Sequence, residues 1–275
     1  MSGIFDGLFL ISDVDGTLLN SKSELTKKNL DAINYFRANG GRFSLATGRT
    51  PQSAKTFLDA TEVTELAVMY NGGAIYHRPT GVSSDIIFLP EQAKLYIKKI
   101  HSDLAFTGIV VVTEKEHYNA GCNDEPNKYV IANRELGSIS KVPFDEISED
   151  WVKILICHEP RLKSELNSYL GARSFEGVEF ISSSSHFIEM LPIGSSKGGA
   201  LKKIAERTGI EQKQVIAVGD YHNDISMIKF AGLGVAVANA QAEVKAAADM
   251  VACSCDENAI AYVIEYIEKN IKIFR

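Results

Sequence analysis

The chain has 275 residues, of which 45% are hydrophobic, and its mean hydropathy is close to zero. This length and composition disfavour an intrinsically disordered chain and allow one domain with a large insertion, or two domains. The formal net charge of −6 argues against a surface that binds nucleic acid by neutralising backbone phosphates, although a local basic pocket could bind one small anion.

The cysteines and the first residues bear on where the protein functions. Four cysteines are present, without CxxC spacing: Cys122, Cys157, Cys253 and Cys255. This pattern favours reduced thiols over a disulfide framework. Residues 1–12 lack a basic segment and Asp6 interrupts their apolar stretch, so no signal peptide is predicted, and no apolar run approaches the length of a membrane span. We therefore expect a cytoplasmic protein without a membrane partner.

The first predicted elements are a buried strand and an amphipathic helix. Leu8 to Ser12 is short and apolar, as expected for a strand covered on both faces. The following helix is predicted to have Thr26 as its N-cap and to end at Gly40. Its predicted buried face comprises Leu30, Ile33 and Phe36.

Strands and helices then alternate. RFSLAT is the second predicted strand, Thr50 and Pro51 are predicted to begin the next helix, and ELAVMYNGG is the third strand. This β-α-β-α-β rhythm predicts a doubly wound, Rossmann-like parallel sheet, in which ligands bind beyond the carboxyl ends of the strands.

The rhythm changes at about Ala74, where a hairpin is followed by mixed helices and strands, and it returns at the helix SSKGGALKKIAERTG. We therefore predict a discontinuous α/β core, residues 1–82 and 189–275, with an inserted α+β cap, residues 83–188.

Two acids, Asp13 and Asp15, follow the first strand, and Gly16 allows the chain to turn sharply there. Two carboxylates about 4 Å apart repel each other by roughly 4 kcal/mol at an effective dielectric constant near 20, so a cation or a proton is needed between them. Mg²⁺, which prefers oxygen ligands, fits this requirement. The alternative is that both acids only cap the following turn.

A second strand also ends in acids. Asp220 directly follows QVIAVG, and Asn223 and Asp224 begin the next helix. If the two strands are neighbours, three acids face one cleft, and a divalent metal accounts for them. The alternative for Asn223 and Asp224 is helix N-capping, which is compatible with a functional role.

Groups suited to phosphate lie near these acids in the predicted sheet. Lys197 stands near the start of a helix, where the backbone N–H groups and the helix dipole favour anions. Thr47 and Gly48 end the second strand and offer a hydroxyl and an unobstructed N–H. Each signal is weak alone, since such residues are also common in solvated helix starts and turns.

A competing hypothesis is a serine hydrolase, because GSSKG, residues 194–198, matches the GxSxG nucleophile elbow. His222 is the only histidine after Ser196, and the acids between them are poorly arranged to orient it. They are Glu206, Glu211 and Asp220. We disfavour this hypothesis.

Taken together, the motifs resemble the haloacid dehalogenase superfamily of phosphohydrolases. Asp13-Val14-Asp15-Gly16-Thr17 is similar to its DxDGT motif, and Thr47-Gly48-Arg49, Lys197-Gly198 and Gly219-Asp220 with Asn223-Asp224 are similar to the three that follow. The long cap and three further signatures resemble the Cof-type subfamily: Asn71-Gly72, Met227 with Ala231-Gly232, and Asn239-Ala240.

The resemblance implies a role for each matching residue. Asp13 would be the nucleophile that forms an aspartyl-phosphate, and Asp15 would protonate the leaving group and then activate water. Thr47 and Lys197 would hold the phosphoryl group, with Gly48 and Asn223 assisting. Mg²⁺ would be bound by Asp13, the main-chain carbonyl of Asp15 and Asp220, with support from Asp224.

The resemblance therefore implies a Mg²⁺-dependent phosphatase for a small phosphorylated metabolite, with sugar phosphates the favoured class. The alternatives are a phosphotransferase or phosphomutase on the same scaffold and a phosphate-sensing module without turnover. The sequence leaves the oligomeric state open, and it does not choose among the candidate specificity residues of the cap: His117, Tyr118, Lys128, Arg134 and His186. Tyr221 and His222 depart from the usual fourth motif, and the extra glycine Gly73 departs from the usual strand-end motif Asn71-Gly72.

Overall fold

A computed structural model describes residues 3–63, 66–121 and 139–274. Three positions discussed above lie outside the described residues, namely Cys122, Lys128 and Arg134. No helix within the described ranges has both the length and the apolar character required to cross a membrane.

The chain divides into two compact units. The first comprises Met1–Asp85 and Ser196–Arg275, and the second comprises Ile86–Ser195. The structural boundaries follow residues 85 and 195, whereas the predicted ones follow residues 82 and 188. The hairpin that begins at Ala74 is therefore part of the first unit.

The strands are, in chain order, β1 (Phe9–Ser12), β2 (Arg42–Leu45), β3 (Leu66–Met69), β4 (Ala74–His77), β5 (Val82–Ser84), β6 (Gly108–Thr113), β7 (His117–Asn119), β8 (Ser140–Lys141), β9 (Trp151–Cys157), β10 (Val178–Ser182), β11 (Phe187–Pro192), β12 (Val215–Gly219), β13 (Leu233–Ala236) and β14 (Met250–Val251). The α-helices are α1 (Lys27–Ala38), α2 (Pro51–Ala60), α3 (Gln92–Asp103), α4 (Lys163–Gly171), α5 (Lys197–Thr208), α6 (Ile225–Phe230), α7 (Ala242–Ala247) and α8 (Ala259–Lys269).

The first unit contains the predicted parallel sheet, with the strand order β14-β13-β12-β1-β2. β1 and β12 are direct neighbours, so the acids that follow them meet at one edge. β3 lies beside the end of β2, where a parallel bridge joins Ala46 and Val68. β3 also pairs with β4 in a separate antiparallel sheet, β3-β4-β5. The α/β fold with a parallel sheet is thus confirmed.

The predicted N-caps are also confirmed. The Thr26 hydroxyl accepts a hydrogen bond from the Asn29 backbone N–H at the start of α1, and the Thr50 hydroxyl accepts one from the Ser53 N–H at the start of α2. Each bond satisfies an N–H that a helix start otherwise leaves without a partner.

The predicted buried face of α1 was partly wrong. Ile33 and Phe36 are buried, but Leu30 is only half-buried and Asn29 is fully buried. Burial of the Asn29 amide is possible because its nitrogen donates to the Leu18 carbonyl and its oxygen accepts from the Ala261 N–H. Such distant partners are not visible in helical periodicity.

The second unit is α+β. Its sheet has the order β10-β11-β9-β6-β7-β8, with antiparallel pairs except for β7 and β8. A hydrophobic core packs on one face of this sheet and includes Ile97 of α3, Leu166 of α4 and Ile154 of β9.

Two of the candidate specificity residues are successive on β7, and their side chains therefore point to opposite faces of the strand. Tyr118 packs against the hydrophobic core and donates a hydrogen bond to Glu149. His117 pairs with Val112 of β6, whose other neighbour in the sheet is Lys153. Lys153 in turn forms a buried ion pair of 2.8 Å with Glu189. Of the two β7 candidates, only His117 therefore lies on the same face of the sheet as the ion pair of Lys153 and Glu189.

Acid is expected to destabilise the second unit through His117. Burial, with a smaller contribution from the positive charge of Lys153, lowers the pKa of His117 from 6.5 to about 4. Between these pH values the unfolded chain binds a proton that the folded chain does not, so the stability contributed by neutral His117 is lost as the pH falls through this window.

Urea unfolding at pH 7 and at pH 4.5 measures this loss. We expect the wild type to lose on the order of 2 kcal/mol more stability over this interval than His117→Gln, which does not titrate. Equal losses of stability in the two proteins would contradict the lowered pKa of His117.

Candidate active site

The two acids of the first motif have different surroundings. Asp13 directly follows β1, donates its N–H to the Val218 carbonyl of β12, and is 6% exposed. The side chain of Asp15 is 46% exposed and forms a bidentate ion pair with Arg49, with N–O distances of 2.7 and 2.8 Å. The two carboxylates therefore differ in surroundings: that of Asp13 is buried, and that of Asp15 lies at the exposed rim.

Gly16 makes possible the sharp turn that follows these two acids. The backbone turns at Gly16 with φ +77°, a conformation that other residues rarely adopt. A Cβ atom at this position would lie 2.6 Å from Oδ2 of Asp220. The turn therefore requires glycine both for its backbone and for the close approach of Asp220.

Lys197, the first residue of α5, joins the first and fourth motifs. Its Nζ donates to Oδ1 of Asp13 at 2.5 Å and to Oδ1 of Asp224 at 2.6 Å, and its side chain is 0% exposed. Burial alone would lower the pKa of Lys197, but Asp13 and Asp224 outweigh it and raise that pKa above its ordinary value. Lys197 is therefore a permanent positive charge inside the site.

Asp224 is held by three donors. In addition to Lys197, the backbone N–H groups of Asp220 and Tyr221 donate to its Oδ2 at 2.9 and 3.0 Å. Gly219 leaves room for this arrangement, because a Cβ atom there would lie 2.5 Å from Cβ of Asp224. Since both oxygens of Asp224 already accept hydrogen bonds, this carboxylate is better suited to fixing the loop than to binding a metal directly.

Three acids bring their carboxylates close together at a candidate metal site, with Asp224 in a supporting position. Asp13, Asp220 and Asp224 each offer a carboxylate oxygen, and these oxygens lie within 4.8 Å of one another. Burial and then the charge of Asp224 raise the pKa of Asp220 to about 7. Burial also raises the pKa of Asp13, against the attraction of Lys197. Such crowding of buried carboxylates is what a divalent cation relieves, and an all-oxygen donor set suits Mg²⁺.

Three of the predicted phosphate ligands, Thr47, Gly48 and Asn223, lie in the loops that follow β2 and β12, the strands on either side of β1. Thr47 is buried after β2, and its hydroxyl accepts from the Arg49 N–H at 3.1 Å. Asn223 donates from its side-chain amide to Oδ1 of Asn71 at 2.8 Å. Gly48 lies beside the amide of Asn71, since a Cβ atom there would be 3.0 Å from it. Thr47 and Asn223 therefore belong to loops that meet at Asn71.

The nucleophile-elbow hypothesis has no support in the local geometry. Ser196 is the N-cap of α5, and its hydroxyl accepts a hydrogen bond from the Gly199 N–H. His222 lies 3.7 Å from Glu243. The serine thus has a sufficient structural role as a helix cap.

Several residues that organise the site were not among the predicted ones. Thr17 donates to Oδ1 of Asp220 at 3.0 Å, Arg49 binds Asp15, and Asn71 binds Asn223. Thr17, Arg49 and Asn71 all lie within the quoted motifs, so their positions were visible in the sequence. Their partners were not, because each bond joins loops far apart in the chain.

Gly16→Ala is expected to damage both stability and metal binding, and Gly209→Ala provides a matched control. Gly209 has a similar φ of +69° but open space around its Cβ position. We expect Gly209→Ala to cost about 1 kcal/mol from the backbone alone and to leave activity unchanged. Gly16→Ala should cost about 1–3 kcal/mol more, because Asp220 must move.

Chemical denaturation and Mg²⁺ titration of activity measure both effects. If the neighbouring acids bind Mg²⁺, as the resemblance implies, Gly16→Ala should also require more Mg²⁺ for half-maximal activity than the control. Identical behaviour of the two variants would show that the contact with Asp220 is unimportant.

A sequence profile of haloacid dehalogenase-like hydrolases matches residues 10–264 of the chain. YxeH of Bacillus subtilis is 30% identical over 265 residues, which cover 92% of this chain and 95% of that protein. The B. subtilis protein named 5-amino-6-(5-phospho-D-ribitylamino)uracil phosphatase YwtE is 28% identical over 283 residues, covering 93% of this chain and 96% of that protein.

The fold is also similar to the folds of solved proteins. The crystal structure of a haloacid dehalogenase-like hydrolase from Bacteroides thetaiotaomicron matches with a TM-score of 0.83 and 28% identity. The match covers 94% of this chain and 99% of that one. The similarity therefore extends over both units.

Proposed function

The chain is a phosphoric monoester hydrolase that belongs to the haloacid dehalogenase-like hydrolases, and we propose that it uses Mg²⁺ and forms an aspartyl-phosphate on Asp13. The observation that carries the proposal is the buried bond from Lys197 to Asp13, at the shared edge of β1 and β12. This bond fixes a carboxylate beside a permanent cation, where a phosphoryl group can be attacked and its charge stabilised.

In the first half of the proposed reaction, an oxygen of Asp13 forms a bond to phosphorus while the bond to the leaving oxygen breaks. Protonated Asp15 gives its proton to that oxygen, and the alcohol departs. Asp15 must exchange its bond to Arg49 for the leaving group, and its exposure at the rim permits this. Thr47, Gly48 and Asn223 would hold the equatorial phosphoryl oxygens.

In the second half, Asp15 takes a proton from water while the water oxygen attacks phosphorus and the bond to Asp13 breaks. Inorganic phosphate and both original side chains result. Because the leaving alcohol has gone, one side chain serves first as the acid and then as the base. Dividing hydrolysis into two displacements lowers the barrier of each.

Asp13 and Asp220 would bind Mg²⁺ with the main-chain carbonyl of Asp15, and Asp224 would support the loop that carries Asp220. The oxygen donors, and the raised pKa of Asp13 and of Asp220, support this assignment. The ion would supply positive charge next to the transferring phosphoryl group. The side chain of Asp15 is not a proposed ligand of the ion, because it pairs with Arg49 and serves as the acid and base.

The proposed substrate is a small phosphorylated metabolite, and sugar phosphates and phosphorylated sugar alcohols are the favoured classes. The name of YwtE, a phosphatase of a phosphoribitylamino compound, supports this class. We propose that the inserted unit selects the substrate, that the protein functions in the cytoplasm, and that neither nucleic acid nor membrane is a partner.

A screen of phosphorylated metabolites with purified protein tests the proposal. We expect release of inorganic phosphate from 4-nitrophenyl phosphate and from several sugar phosphates, with loss of activity in EDTA and recovery with Mg²⁺. A phosphorylated sugar product without free phosphate would indicate a phosphotransferase. Phosphate binding without turnover of any substrate would indicate a sensing module.

A further inference from the structure

A strained turn, residues Tyr70–Gly72, follows β3 at the same sheet edge as the active site. Its residues have successive φ values of +53°, +58° and +97°. Positive φ is unfavourable for tyrosine and tolerated by asparagine, so the surrounding structure must compensate for the strain. Backbone strain of this kind is concentrated at functional sites.

The turn is bound to two loops of the active site. The Tyr70 N–H donates to the Arg49 carbonyl at 3.1 Å, and the Asn71 N–H donates to the Thr47 carbonyl at 3.0 Å. Gly72 lies against Ser196, the residue before Lys197, so closely that a Cβ atom would be 2.1 Å from the Ser196 carbonyl oxygen. The second and third motifs are therefore held to one segment.

The side chain of Asn71 reaches a third loop, that of the fourth motif. Its Oδ1 accepts a hydrogen bond of 2.8 Å from Nδ2 of Asn223. The Oδ1 of Asn223 is buried and has no donor among the residues that the structure describes. A buried acceptor without a donor does not stabilise the orientation of its amide. The bond to Asn71 therefore sets that orientation.

We propose that Asn71 is a positioning residue of the active site, which orients the Asn223 amide toward the transferring phosphoryl group. This inference rests on the proposed function and extends it. An amide nitrogen has two N–H donors, and the bond to Asn71 uses one of them while fixing the amide plane. The other N–H is thereby held in one direction for a phosphoryl oxygen, with less freedom to lose on binding.

A simpler role for Asn71 would be to tolerate the positive φ. Asn71→Gly separates the two roles, because glycine accepts this backbone and lacks the amide. Asn258, the N-cap of α8, provides the matched control. It also has a positive φ, +68°, and its side-chain oxygen accepts a hydrogen bond from the Thr26 hydroxyl. Asn258→Gly should leave activity unchanged.

The experiment compares kcat/KM for 4-nitrophenyl phosphate, inhibition by orthovanadate, and melting temperature in Asn71→Gly, Asn223→Ala, the double variant and the control. We expect Asn71→Gly to lose about 10- to 100-fold in kcat/KM, as is typical when a supporting hydrogen bond to an active-site ligand is removed. Orthovanadate inhibition should weaken in parallel, and the melting temperature should match that of Asn258→Gly.

The double variant decides between positioning and a separate structural effect. If Asn71 acts through Asn223, the double variant should be no worse than Asn223→Ala. Additive losses, unchanged activity in Asn71→Gly, or loss of its folding transition would each overturn the inference while leaving an active wild type and the proposed function intact. An inactive wild type would instead overturn the proposed function, and the inference with it.

Discussion

Asp13→Asn should lose hydrolysis by at least about 10⁴-fold, because an amide oxygen is a poor nucleophile and removal of a nucleophile costs this much or more. The substituted amide can still accept the hydrogen bond from Lys197, so the fold should persist. The loss should appear in kcat at saturating substrate and saturating Mg²⁺, so that weakened binding does not account for it.

Asp31→Asn is the control for this change. Asp31 lies on α1 in an exposed ion pair with Lys27, outside all four motifs, and its replacement should leave activity unchanged. Circular dichroism should show the same folded content in both variants. Hydrolysis by Asp13→Asn at more than a few per cent of the wild-type rate would exclude Asp13 as the nucleophile.

Lys197→Met should be both inactive and strongly destabilised. It removes the cation that contacts Asp13 and Asp224, which remain buried without this partner. Breaking such a pair by removing one member costs about 3–5 kcal/mol, since the remaining charge is left uncompensated. For a chain of this size, such a loss lowers the melting temperature by roughly 10 °C.

Lys202→Met is the matched control, because Lys202 lies on the same helix, is exposed, and is 4.0 Å from Glu206. Its loss should change stability by less than about 0.5 kcal/mol and leave activity intact. Calorimetry at neutral pH without added metal compares the two variants. Equal melting temperatures would show that the buried network around Lys197 contributes little to folding.

The parallel sheet and its active-site edge could be predicted from the sequence because both follow from local patterns. Apolar runs of strand length alternate with amphipathic helices, and the polar residues Asp13, Thr47 and Asp220 each follow such a run. Carboxyl ends of neighbouring parallel strands share one edge. Once β1 and β12 are neighbours, their acids must meet, and only the strand order remained to be determined.

The partners of individual side chains could not be predicted in this way. The bond between Asp15 and Arg49 and the bond between Asn71 and Asn223 depend on side-chain rotamers and on the packing of distant loops. The burial of Asn29 likewise depends on contacts with distant parts of the chain. A single sequence specifies residue spacing within an element, whereas these contacts are set by packing between elements.

In the proposed reaction, Asp13 carries a covalent phosphoryl group during turnover. With 4-nitrophenyl phosphate, whose leaving group departs without a proton, Asp15→Asn should make this intermediate accumulate, because the amide in place of the Asp15 carboxylate cannot take the proton from the attacking water. Rapid acid quenching after mixing with ³²P-labelled substrate and Mg²⁺ should give labelled protein, and peptide mapping should locate the label on Asp13. Product formation without any labelled protein, or a label on another residue, would exclude a phosphorylated Asp13 intermediate.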